Sequence, residues 1–178
     1  KEFYLSSDDE HKHYLTHNND VNDERYKKFL SNLMLPLIDR IKLKSIGLDY
    51  GCGPGPALSL MLREKGYQMF NYDPFFHPKK SNLLKKYDFI SCSETVEHFH
   101  NPFYEFTRFN ELLNDGGIIG IMTNFHSKEN IFENWYYIKD PTHVVFYSKN
   151  TFLIIAKMFK WDCEFLNNNL VFFKKIYN

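Results

Sequence analysis

LDYGCGPG (Leu48 to Gly55) sets three glycines two apart, Gly51, Gly53 and Gly55, just after the carboxylate of Asp49. Glycine lets the backbone turn sharply and lets a ligand approach with no Cβ in the way. The dinucleotide fingerprint is GxGxxG, with a helix N-terminus aimed at pyrophosphate; here the spacing is GxGxG and position 56 is Pro56. Asp49 suits an ammonium group better than a phosphate. Asp73 follows Asp49 by 24 residues, a place where a carboxylate accepts hydrogen bonds from ribose hydroxyls. The two acids together describe a ligand with an amine and a ribose. The bland alternative is a tight turn with incidental acids.

Further along, His98 and His100 alternate in EHFH. That spacing can bring two imidazoles to a metal, but their loop offers no third partner, so no metal is expected. Trp135, Tyr136 and Tyr137 line an aromatic pocket or serve packing. Cys52 and Cys92 read as small buried fillers.

These residues need elements to hold them. Lys1 to Asp23 is polar and histidine-rich and reads as an arm. From Tyr26 to Ile41 apolar residues recur at i, i+3, i+4 and i+7, predicting a long helix with Asp23 as N-cap. Strands are predicted over 45–50, 67–72, 87–93 and 118–123. Helices over 57–65 and 103–113 alternate with them, the first closed by Gly66 and the second started by Asn101 and Pro102. Asp115, Gly116 and Gly117 form a turn before the fourth strand. Such alternation implies a mainly parallel sheet covered on both faces. A helix over 149–159, capped by Ser148, leads to strands 161–166 and 170–175, joined by three asparagines as a hairpin. The class is α/β, and a nicotinamide-binding fold has no reason to end in such a hairpin.

LDYGCGPG, the acid of NYDPF (Asn71 to Phe75), YDFISCSETVEHF (Tyr87 to Phe99) and LLNDGGIIGIMT (Leu112 to Thr123) together resemble the class I S-adenosylmethionine-dependent methyltransferases. The likeness runs from about Leu33 to Lys175 and is greatest to a bacterial branch of small-domain enzymes with unassigned substrates. It implies a Rossmann-like three-layer sandwich over residues 23–178, preceded by an arm over 1–22. Gly51, Cys52 and Gly53 would lie against the methionyl part of S-adenosylmethionine, with Asp49 reaching its amino group directly or through water. Asp73 would hold the ribose, with Pro74 beside it. Ser93 and Glu94 would border the methionine and the substrate entrance. From the arm, His17 and Asn18, with Asn19, Asp20 and Tyr14, would fold over the cofactor's carboxylate, or the arm is solvated. One departure stands out: only 15 residues separate Asp73 from Asp88, too few for the usual third strand and helix with their adenine-binding acid. The third strand is therefore expected to be shortened or missing, with Phe75 and Phe76 against the adenine or covering the sheet edge.

The implied reaction moves a methyl group from S-adenosylmethionine to an O or N atom, leaving S-adenosylhomocysteine. The protein mainly has to align the acceptor and exclude water. His143, in DPTHVVFYS (Asp140 to Ser148), ranks first as a base, with the alternative of a loop histidine bonded to backbone. His98, in the place of the family's EHL histidine, is the second catalytic candidate. Two other readings remain open: a binding module without turnover, and an NAD-dependent oxidoreductase.

Composition bounds the partners. The 22 Lys and Arg balance 22 Asp and Glu, so no basic field collects nucleic acid or an acidic membrane surface; a small-molecule acceptor is expected. Cys52, Cys92 and Cys163 form no CxxC pair, which suits a reducing, cytoplasmic compartment. No apolar run approaches the roughly 20 residues of a membrane span. The chain begins at Lys1, so an upstream segment is expected to be missing. The oligomeric state is not legible.

Overall fold

The computed structural model describes residues 4–16, 19–127 and 132–177. Among these residues six strands form one sheet: β1 (Ile46–Tyr50), β2 (Gln68–Tyr72), β3 (Tyr87–Ser93), β4 (Leu113–Met122), β5 (Trp161–Phe165) and β6 (Leu170–Lys175). Their order across the sheet is β2-β1-β3-β4-β6-β5. The first four are mutually parallel, β6 is antiparallel to β4, and β5 pairs with β6 as the expected hairpin.

Two helical layers cover the sheet. On one face lie α2 (Glu24–Ile38) and α3 (Ala57–Glu64), where Leu30, Leu33, Leu37, Leu58 and Leu62 pack with Phe89 and Phe172. On the other lie α4 (Pro102–Leu112) and α5 (Lys149–Phe159), where Phe106, Phe109 and Phe152 pack with Ile90, Ile119 and Phe173. The class and its three layers thus match the sequence reading. So do the caps: Asp23 accepts from Arg25 N, Asn101 from Tyr104 N, and Ser148 forms a capping box with Thr151.

The structure adjusts three boundaries. Helix α2 runs past Pro36 and ends at Ile38 rather than Ile41, where the chain tightens into a turn with Arg40 N donating to the Leu37 carbonyl. Strand β4 starts at Leu113, directly after α4, and the turn expected at 115–117 is an irregularity within it: the register shifts between the Tyr87–Leu113 and Phe89–Ile118 pairs, with Gly116 at φ 75°. The arm contains a helix, α1 (Ser7–Tyr14). Its start was readable, since Ser6 accepts from Asp9 N and three acids fill the first turn.

The third strand is missing. Between β2 and β3 there is only a bridge from Asp73 to His77 and a 3₁₀ turn, Lys80–Leu84. Among the described residues no helix is long and apolar enough to cross a membrane.

Candidate active site

The carboxyl ends of β1, β2 and β3 open into a cavity of about 780 Å³, at the place where open α/β sheets bind ligands. Its volume falls in the upper part of the range of roughly 300 to 1,000 Å³ typical of small-molecule sites.

The glycine turn forms one wall. Gly51 and Gly53 have φ of 73° and 63°, a region that side-chain-bearing residues rarely enter. Gly51 N and the Tyr72 carbonyl lie 2.8 Å apart, which ties the turn to the end of β2. Asn19, from the end of the arm, lies against the turn, its side-chain nitrogen 2.8 Å from where a Gly53 Cβ would stand.

Asp73 forms the next wall. One carboxylate oxygen accepts from Gly53 N at 3.1 Å; the other accepts from Phe75 N at 2.9 Å and Phe76 N at 3.0 Å. A carboxylate has about four acceptor sites, so Asp73 fixes both loops and keeps capacity toward the cavity. Phe75 and Phe76 line the cavity as well, and α1 closes over them: His11 stacks on Phe75 at 5.4 Å and Tyr14 packs on it at 5.5 Å. Glu10 pairs with His100 at 2.8 Å and His13 with Asp140 at 3.2 Å, pinning this helix across the opening.

The end of β3 supplies Ser93 and Glu94. Ser93 Oγ is a buried side-chain atom with no hydrogen-bond partner among the described residues, and its residue lines the cavity. An orphaned buried hydroxyl awaits a partner. Glu94 has φ 46°, strain of the kind that gathers at functional sites. Its carboxyl lies 3.1 Å from the Tyr137 hydroxyl, which also donates to Glu97. Burial pushes both carboxyls well above their usual range; the Glu97 charge adds to this at Glu94, while the Tyr137 and Thr123 hydrogen bonds work against it at Glu97.

His98 and His143 face each other with ring centroids 4.8 Å apart. Both line the cavity. His100, two residues further on, turns instead to Glu10. Asp140, with its carboxyl near 2, closes this side: burial raises it, but the Thr142 hydroxyl and N–H, with His143 and His13, outweigh that.

The sequence candidates therefore divide. Gly51, Cys52, Gly53, Asp73, Pro74, Ser93, Glu94, His98 and His143 share one cavity. Asp49 does not reach its wall: it is buried behind the turn, with Ser91 Oγ donating to it at 2.9 Å. Burial raises its carboxyl to about 6, against which the Ser91 and Ser59 hydrogen bonds work. His17 and Asn18 lie outside the described residues. Sequence reasoning missed Thr95, which braces Gly51, and Glu97. A Glu97 signal was present in its i, i+3 spacing from Glu94 and its adjacency to His98. Tyr50, with Glu105 and Arg108 bonded to its hydroxyl, was also missed as a lining residue.

Residues 22–160 match a family described as a methyltransferase domain. No curated protein matches the chain. Among solved structures, the Burkholderia thailandensis 1,6-didemethyltoxoflavin-N1-methyltransferase, with 1,6-didemethyltoxoflavin and S-adenosylhomocysteine bound, has a TM-score of 0.63 and 11% identity, covering 97% of this chain and 92% of its own. A SAM-dependent methyltransferase from Archaeoglobus fulgidus has a TM-score of 0.60 and 20% identity, covering 79% and 73%. Haemonchus contortus phosphoethanolamine N-methyltransferase 2, in complex with S-adenosyl-L-methionine, has a TM-score of 0.53 and 15% identity, covering 81% and 44%. At these identities the likeness is one of fold, which is Rossmann-like.

Proposed function

This chain belongs to the methyltransferase domain family, and we propose that it transfers a methyl group from S-adenosylmethionine to an O or N atom of a small-molecule acceptor. The observation that carries the reading is the cradle: a Cβ-free turn, a shared carboxylate at Asp73 and an unpartnered Ser93 hydroxyl open on one cavity. When bound, the cofactor supplies a methyl already activated by the adjoining sulfonium.

The chain's own residues then hold the cofactor, exclude water and take up a proton. Gly51, Cys52 and Gly53 accommodate the methionyl part, with Ser93 and Glu94 on the opposite side. Asp73, with Pro74, takes the ribose, and Phe75 and Phe76 offer apolar surface to the adenine in place of the acid a third strand normally carries. Asp49 supports the turn from behind, its buried carboxyl held by the Ser91 hydroxyl, rather than by direct contact. Helix α1 excludes water. His143, assisted by His98, receives the acceptor's proton.

The toxoflavin and phosphoethanolamine methyltransferases that share this fold support a small acceptor. Calorimetric titration with S-adenosylmethionine, S-adenosylhomocysteine and NAD tests the cofactor: binding of the first two is expected, and NAD binding with no response to the others rejects the reading. His143→Ala is expected to lower turnover with near-normal S-adenosylhomocysteine affinity. Unchanged turnover removes His143 from the mechanism.

A further inference from the structure

The methyl-transfer reading gives Glu97 no part and leaves the Glu94 and Glu97 pair without a charge partner. Glu94 and Glu97 are joined through the Tyr137 hydroxyl, and Thr123 Oγ1 donates to the other Glu97 oxygen at 2.9 Å. One hydroxyl has one proton, so Tyr137 cannot donate to both carboxylates at once. Among the described residues no lysine or arginine pairs with either. Carboxylates removed from water without a positive partner are strongly disfavoured.

Two imidazoles stand beside them in a defined tautomer. His98 Nδ1 lies 3.0 Å from the Thr142 carbonyl, and His143 Nδ1 lies 2.7 Å from the Tyr137 carbonyl. A carbonyl only accepts, so in each neutral ring Nδ1 carries the proton and Nε2 the lone pair. This is how backbone carbonyls orient metal-binding histidines. One donor atom each from Glu97, His98 and His143 lie within 4.8 Å of one another.

We propose that Glu97, His98 and His143 bind a divalent first-row metal ion, with Glu94 beside it and the open coordination positions facing the cavity. Two imidazoles and a carboxylate suit Mn²⁺, Fe²⁺ or Zn²⁺; Mg²⁺ and Ca²⁺ prefer all-oxygen sites. Bonds of about 2.0 to 2.2 Å draw the donors somewhat closer together, within reach of side-chain rotation. The ion supplies the positive charge that Glu94 and Glu97 lack. Glu97 is fully buried, whereas His98 and His143 line the cavity, which sets the open side of the ion toward the acceptor.

Resting on the proposed function, this site narrows the acceptor to one with a hydroxyl. With the Nε2 lone pairs of His98 and His143 on the ion, the ion takes over the part given above to His143 as base: coordination lowers the hydroxyl's pKa, and its proton leaves to solvent. An oxygen lone pair then forms the bond to the methyl carbon as the carbon–sulfur bond breaks, its electron pair staying on sulfur.

The test uses the intact chain, stripped with chelator and titrated calorimetrically with Mn²⁺, Zn²⁺ and Mg²⁺, and spectroscopically with Co²⁺. A single tight transition-metal site with weak Mg²⁺ binding and a visible Co²⁺ band is expected. His98→Ala and His143→Ala each weaken binding by more than about tenfold, since even an outer-shell partner contributes that much; His100→Ala does not. If an alanine variant fails to fold, His98→Gln or His143→Gln carries the test. Absence of binding, or binding unchanged in both histidine variants, overturns the proposal. S-adenosylhomocysteine titrated in parallel keeps the readings apart: its loss in the unmodified chain strikes the cofactor reading and leaves the metal result standing.

Discussion

Thr95 occupies the space that a side chain at Gly51 would need. Its hydroxyl lies 3.2 Å from the Gly51 carbonyl, and its methyl is 2.1 Å from the position of a Gly51 Cβ. The turn that opens the cavity is therefore braced by the segment after β3.

Gly51→Ala should destabilise the fold by about 2 to 4 kcal/mol, combining left-handed strain with the Thr95 collision. Adding Thr95→Ala removes the two closest atoms and should restore part of the loss. Thermal unfolding of both single variants and the double variant measures the coupling; strict additivity would show that the two residues do not oppose each other.

Asp73→Ala leaves three backbone N–H groups without their acceptor, each worth about 1 to 3 kcal/mol if buried. Stability and S-adenosylhomocysteine affinity should fall together. Asp73→Asn, which retains one oxygen, should fall between. Calorimetry that finds full affinity in both variants removes Asp73 from the binding site.

Ser93→Ala should behave in the opposite way. The hydroxyl has no partner to lose in the free protein, so melting should be unchanged or slightly raised, while S-adenosylhomocysteine binding weakens by about 1 kcal/mol, or roughly fivefold. A drop in stability without a change in binding would contradict the assignment.

Asp49 sets a pH dependence. Its folded carboxyl titrates at about 6 against a usual 3.8, so the folded state holds the proton more tightly. Above the unfolded value only the unfolded chain gains by releasing it; stability contributed by the protonated form is therefore lost as pH rises from about 4 through 6. The full effect is roughly 3 kcal/mol. Asp49→Asn, neutral throughout, should flatten that part of the curve of unfolding free energy against pH. An unaltered curve would show that Asp49 does not contribute.

Glu10→Gln should loosen α1. Glu10 is buried while its partner His100 is 43% exposed, so the pair is worth at most about 1 kcal/mol and global melting should barely move. Hydrogen exchange in α1 should quicken severalfold. Exchange equal to that of the unmodified chain would mean that the aromatic contacts of His11 and Tyr14 alone hold the helix.

Much of this is legible in the order of residues. Leu30, Leu33 and Leu37 lie at helical spacing and do form the buried stripe of α2. The 15-residue gap from Asp73 to Asp88 is too short for a strand and a crossover, and the third strand is accordingly missing. Helix α1 was overlooked because its apolar periodicity is weak; its face is made of His11 and Tyr14, which pack through ring contacts rather than through aliphatic burial.

Local chemistry decides what one segment can do alone: a turn that only glycine tolerates, a cap, an apolar period, a missing length of chain. Those were set by the order of residues. Partnerships across the fold are of another kind, because they depend on which strand ends the sheet brings side by side. His98 was readable as a neighbour of His100, yet backbone direction after β3 turns the two apart, sending one to Glu10 in α1 and the other to His143 beyond β4. Asp49 likewise had the right position in the chain, but the register of β1 on β3 sets it opposite Ser91, whose hydroxyl its buried carboxylate takes, and it does not line the cavity.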